Sequence, residues 1–209
     1  MRKHRIIIGI IFLTVITGSK FVVAEIETPF YKVIQREKSI EIREYVPTIL
    51  AEVTVAGERG KAINAGFRLL ADYIFGNNVP KKTIAMTAPV GQQRSEKIAM
   101  TAPVTQTKNG DAWKVQFTMP SSYTLETLPK PNNPEVKILC KPSCRVAAIK
   151  FAGFWSESSL KKHLSLLEAF VHSKGLKIAG EPIYAFYNPP WTLPFLRRNE
   201  IIYVISADS

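Results

Sequence analysis

Few side chains in this sequence have the chemistry of a site, and their spacing narrows what that chemistry could be. Cys140 and Cys144 sit in LCKPSCRVA. Two thiols without a nearby histidine cannot complete a zinc shell. Lys141-Pro142-Ser143 is turn chemistry between strand-like flanks, so a disulfide across a tight turn is expected, with a reduced pair as the alternative. The three histidines are His4, His163 and His172. His163 borders an apolar helical stripe, within one turn of Leu160 and Leu167, and is the one histidine placed to meet an apolar ligand. A satisfied, half-buried core histidine is the commoner case. Met86 and Met100 occur in a phrase written twice, IAMTAPV, at Ile84–Val90 and Ile98–Val104. Their thioethers could line a slot or simply fill core gaps. No nucleophile–base–acid motif, glycine-rich phosphate loop or metal-spaced His/Glu set is present.

Those residues need elements to position them. Apolar alternation predicts strands at Ile40–Tyr45, Ile49–Val55, Trp113–Met119, Val136–Cys140, Arg145–Phe151, Ile183–Tyr187 and Ile201–Ile205, the last apolar throughout and central. Two segments switch to helical period. Ile63, Phe67, Leu70 and Ile74 fall at i, i+4, i+7 and i+11, with Gly76-Asn77 as the stop. Leu160, Leu164, Leu167 and Val171 repeat the offsets behind Ser156 as N-cap, Trp155 as staple and Gly175 as terminator. Each half of the chain holds strands, one helix, then strands, joined near Pro129–Pro134. The reading is one α+β domain, a distorted antiparallel barrel of two pseudo-repeated halves carrying two amphipathic helices. The IAMTAPV copies read as two like strands in a hairpin, each interrupted by its proline, Pro89 or Pro103.

The first 24 residues have a basic start (Arg2, Lys3, Arg5), an apolar run from Ile6 to Ile16, and small residues at Val22 and Ala24. That is the layout of a signal peptide, which predicts an exported protein, periplasmic or secreted, with residues 25–209 as its domain. An uncleaved anchor over residues 6–24, and membrane association through it, is the alternative. Loss of residues 1–24 removes four cations and no acid, taking the formal charge of +11 to +7. With no stripe of basic and aromatic residues, that excess does not argue for nucleic acid; it suits anionic ligands or lipid.

The segments IEIREY (Ile40–Tyr45), IAMTAPV, VQFTMP (Val115–Pro120), FAGFW (Phe151–Trp155) and YNPPWTLPFLRRNEI (Tyr187–Ile201) resemble, in order, the SOUL haem-binding family. The resemblance implies non-covalent binding of haem or a related tetrapyrrole in an apolar cleft beside the first helix, without catalysis. A porphyrin is a flat apolar plate with carboxylates on one edge. The slot candidates are Ile63, Phe67, Leu70, Ile74, Met86 and Met100. Cations for the carboxylates are Arg59 and Arg68, with Lys61 beside them, and His163 is the axial candidate to test. Asn64 stands where the resemblance implies an arginine, and the early strands lack the histidine of one family branch. Arg197 or Arg198 could hold a carboxylate; pairing of one with Glu200 to lock the loop is the favoured reading. A distant likeness to GyrI-like ligand-binding proteins leaves two other functions open. One is a hydrolase in the same cleft, using a glutamate and a tyrosine among Tyr45, Tyr184 and Glu200. The other is an envelope interaction protein with no tetrapyrrole.

Overall fold

The computed structural model describes residues 26–81 and 95–206. In chain order the elements are β1 (Tyr31–Glu37), β2 (Ile40–Tyr45), β3 (Thr48–Ala56), α1 (Arg59–Ile74), β4 (Asn78–Val79), β5 (Val104–Asn109) and β6 (Ala112–Thr118). There follow β7 (Lys130–Pro131), β8 (Lys137–Lys141), β9 (Cys144–Phe151), α2 (Glu157–Ser173), β10 (Lys177–Ile178), β11 (Ile183–Phe186), a 3-10 turn (Pro194–Leu196) and β12 (Asn199–Ser206).

Local chemistry accounts for most of these boundaries. In β6, Val115 and Phe117 are buried while Lys114, Gln116 and Thr118 keep contact with solvent, the two-residue period of a strand with one wet face. Glu58 caps α1 by accepting from the amides of Gly60 and Lys61, and Ser156 caps α2 by accepting from Ser159. Gly175 ends α2 in the left-handed region at φ 66°. The Trp155 ring, just before α2, packs on Phe186.

All pairings in the main sheet are antiparallel, in the order β1-β2-β9-β12-β11-β5-β6-β3-β8, with β10 also on β12. The unit β3-α1-β5-β6 and the unit β9-α2-β11-β12 repeat one plan and meet at the β5–β11 pair. The strand leading each unit crosses to the other one: β2 pairs with β9, and β8 pairs with β3. Both crossings keep one register, so β2–β3 and β8–β9 form a single ladder from Ile40↔Ile149 to Glu52↔Lys137. Continuing that register sets Pro47 opposite Pro142, where neither strand can donate a ladder hydrogen bond and the pair can bend. The sheet thereby rolls into a distorted half-barrel.

Two sequence expectations change here. Cys140 and Cys144 are free thiols. They flank a crossing, not a hairpin turn, because β8 and β9 serve different partners. The second IAMTAPV copy is an irregular extended segment over residues 98–103 that enters β5 only at Val104. Pro103 follows a cis peptide bond, and the backbone bonds run elsewhere: Ile98 N–H to Ile74 O, and Ala102 N–H to Glu27 O. The first copy, with Met86, lies outside the described residues, as does the 1–24 segment.

Both helices pack on one face of the sheet, α1 on β3 and β6 and α2 on β9 and β12. Under α1 the core joins Val53, Leu70, Ile74, Val115 and Phe117; under α2 it joins Ile149, Leu160, Leu167, Ile201 and Tyr203. Gly66 lets α1 come close. A Cβ there would lie 2.7 Å from Val115 Cγ2 and 3.2 Å from Val53 Cγ2. Gly66→Ala gains helix propensity of about 1 kcal/mol, but overpacking against stiff β-branched neighbours costs about 1–3 kcal/mol. A lower urea midpoint with an unchanged slope is the expected result.

Candidate functional site

Because the helices cover the outer strands of each unit, β5 and β11 in the middle are the least covered. The registers align a row of side chains there: Phe117, Val104, Phe186, Asn199 and Phe151, one from each of five adjacent strands. The next row on that face is Val115, Gln106, Tyr184, Ile201 and Ile149. Val104, Tyr184 and Phe186 remain half-buried. They floor a furrow between the helices. Its α1 wall is Phe67, 37% exposed and edge-on to Phe117 at 5.3 Å. Its other wall is Trp155, 47% exposed and 5.3 Å from Phe186.

Arg59 closes one end. From the first turn of α1 it reaches Glu157, in the first turn of α2, at 2.8 Å, and Gln106 Oε1 at 3.4 Å. Its guanidinium stands 4.6 Å from the Tyr184 ring and 5.2 Å from that of Trp113. Nε of Arg59 is buried with no hydrogen-bond partner. Glu157 is largely exposed, so this pair is a weak one. A buried guanidinium N–H without an acceptor, between the first turns of the two helices, suits a carboxylate.

The opposite face of the sheet, inside the half-barrel, holds a second space. Tyr45, Leu50, Thr105, Gln116, Val146 and Ile202 help line a narrow groove of about 50 Å³. Beside it lies a buried ionic cluster. Arg43 forks onto Glu200, with Nη1 to Oε2 at 2.7 Å and Nη2 to Oε1 at 3.0 Å. Arg198 Nε donates to the same carboxylate at 3.0 Å, and the Tyr187 hydroxyl does so at 2.9 Å. Burial opposes ionisation of Glu200, yet the two arginines outweigh it and hold the carboxyl below the usual carboxylate range. Burial, then the Glu200 charge, pushes the Tyr187 phenol up, so it stays a donor. Arg198 therefore locks the loop onto Glu200, as the sequence reading favoured, while Arg197 donates to the carbonyls of Thr192 and Pro190.

The family pattern described as SOUL heme-binding protein matches residues 26–204. The chain belongs to the SOUL family. Human heme-binding protein 2 is similar to it, 28% identical over 190 residues, covering 88% of this chain and 87% of the human protein. Among solved structures, the C-terminal domain of EcmrR has a TM-score of 0.56 at 11% identity, over 84% of this chain and 98% of that one. A hydrolase from Listeria innocua has a TM-score of 0.54 at 13% identity, over 83% and 94% of the two chains. At such identities these structures share the GyrI-like fold and nothing finer.

For a SOUL protein the residues read from sequence divide into layers. Leu70 and Ile74 are sealed in the core beneath α1, and Ile63 packs half-buried against that core; they hold the helix down. Phe67 faces the furrow. Met100 is exposed in the segment tied at Ile98 to Ile74 O and at Thr101 to Thr118 O, next to Phe117. Arg59 stands at the furrow's end, and Arg68 is exposed on α1 one residue beyond Phe67. A haem group fits this set through apolar faces at Phe67 and Phe186 and through Arg59 for a carboxylate. His163 is held by its own neighbours. Its ring stacks on Phe151 at 4.0 Å and 12°, and Nδ1 is engaged with Ser159 O at 2.8 Å. Among the described residues no cluster of three His, Cys, Asp or Glu side chains could hold a metal ion. A packing role for His163 predicts that His163→Gln leaves the haem-bound absorption spectrum in place, with affinity changed by less than about threefold; optical titration of both proteins checks it.

The furrow's floor was not found from sequence, because Val104, Tyr184 and Phe186 sit on strands whose adjacency only the β5–β11 register sets. Of the acid–tyrosine candidates, Glu200 does meet a tyrosine, Tyr187, but deep in the ionic cluster. Tyr184 is on the other face of the sheet, under Arg59.

Proposed function

We propose that this chain is a non-enzymatic binder of haem or a related porphyrin, held non-covalently between α1 and the β11–α2 side of the furrow. Membership of a heme-binding family supports the ligand class. The observation that carries the site is the half-buried aromatic furrow ended by Arg59, whose Nε lacks an acceptor. Phe67, Val104, Phe186 and Trp155 would contact the plate, Arg59 would take a carboxylate, and Arg68 and Met100 would border the rim. Bound iron would supply the redox and axial-ligand chemistry. The protein would contribute an apolar environment and a fixed orientation, which suits a carrier, buffer or scavenger. We place it outside the cytoplasm on the layout of residues 1–24; N-terminal sequencing of protein recovered from the cell envelope checks that, and an intact Met1 in every fraction would overturn cleavage.

A haem titration of the full chain, followed in the Soret band, tests the binding. Saturation near about one equivalent is expected. Iron-free protoporphyrin should bind within about tenfold of haem, because no histidine ligand to iron is invoked. A signal that rises without saturating, as on an unrelated basic protein, would overturn the reading.

A further inference from the structure

The loop before β12 presents large apolar side chains outward, which nothing in the furrow explains. Trp191 is 82% exposed, Phe195 71% and Phe154 66%, with Leu193 and Leu196 also exposed. These belong to one knob: Gly153 N–H donates to Pro194 O at 2.8 Å, and the Arg197 guanidinium lies 5.5 Å from the Phe154 ring. The loop is built, not slack. Thr192 N–H bonds Pro189 O at 3.0 Å, Leu196 N–H bonds Leu193 O at 2.9 Å, and Arg197 Nε bonds Thr192 O at 2.7 Å. A stiff turn that holds five apolar side chains in water needs an apolar medium to pay for it.

We propose that this knob, residues 153–154 and 191–196, docks the protein on an anionic lipid surface. Three observations favour a bilayer. The tip is a projecting turn, and a bilayer receives such a wedge without a complementary pocket. Its make-up of tryptophan, phenylalanine and leucine is that of interfacial anchors. Its charge is complementary to anionic headgroups: segments 150–156 and 187–198 carry Lys150, Arg197 and Arg198 and no acid. The acids that follow the two segments are Glu157, exposed and paired with Arg59, and Glu200, fully buried between Arg43 and Arg198. Among the described residues no helix is long and apolar enough to cross a membrane; a short projecting turn would rest in the interface. This docking is separate from residues 6–24 and from whatever the furrow holds.

The test mixes the full chain with vesicles of phosphatidylcholine containing phosphatidylglycerol, and with vesicles of phosphatidylcholine alone. Brominated acyl chains serve as quenchers of tryptophan emission. The chain has three tryptophans, so Trp191→Ser isolates the contribution of Trp191. The expected result is quenching that Trp191→Ser removes, stronger binding to the anionic vesicles, and a roughly tenfold or greater loss of partitioning in Trp191→Ser/Phe195→Ser. Haem titration of that double variant should match the parent, which separates this proposal from the reading of the furrow. Equal partitioning of parent and double variant would overturn the proposal, since any remaining binding then belongs to the N-terminal segment. A concentration-dependent dimer, lost in the double variant and indifferent to lipid, would overturn it in favour of contact between copies of the chain.

Discussion

Glu200→Ala is expected to lower the unfolding free energy by about 3–5 kcal/mol, the cost of leaving a buried guanidinium without its partner. Arg43 is 1% exposed, and its remaining charged partner is Glu41, which Arg36 shares. Arg198 and Tyr187 lose an acceptor at the same time. The double variant Arg43→Met/Glu200→Leu removes both charges and should recover much of that loss, because a packed apolar pair avoids the desolvation cost. Urea unfolding of the two variants beside the parent measures it. The same cluster sets an acid limit. The folded Glu200 carboxyl titrates below its unfolded value, near about 4.3, so its contribution is complete above that pH. It is lost as pH falls through the folded value. Glu200→Gln should therefore flatten the decline in stability below about pH 4.

Phe67→Glu is expected to raise the Kd for haem about 100-fold, with a stability loss within about 1 kcal/mol. The Phe67 ring is partly exposed and touches Phe117 by its edge, so little core is disturbed. In the proposed complex that ring faces the porphyrin. A carboxylate in its place forfeits the apolar contact, must be desolvated, and repels the ligand's own carboxylates. Phe67→Leu keeps the apolar contact and should stay within about fivefold of the parent. Optical titration and a thermal melt of each variant separate binding from folding.

Much of the fold was legible because alternation and helical period are local signals. Lys114, Gln116 and Thr118 mark the wet side of β6, and Ser156 and Gly175 mark the ends of α2. The partner of a strand is not local. Lys141-Pro142-Ser143 reads as a turn, yet β8 leaves for β3, and the expected disulfide goes with the hairpin that does not form. Residues 98–103 carry strand parity, but Pro103 withholds a donor and the Ile98 and Ala102 amides bond outside any ladder. The ionic cluster was half visible: Arg198 and Glu200 are neighbours in sequence, whereas Arg43 lies 157 positions away. In IEIREY, Arg43 shares its parity with Glu41 and reads as a solvated face. Only closure of the half-barrel buries it. Arg59 could be named as a cation on α1, while its orphaned Nε depends on α2, β5 and β11 converging around it.

Two hollows compete for the tetrapyrrole, the furrow between the helices and the groove inside the half-barrel. Haem titrations of Phe67→Glu and of Thr105→Trp, which fills the groove from β5, decide between them. A sharply weakened Phe67→Glu beside a Thr105→Trp that binds like the parent is the expected outcome. Weak binding by Thr105→Trp with Phe67→Glu unaffected would move the ligand to the other face of the sheet and contradict the account.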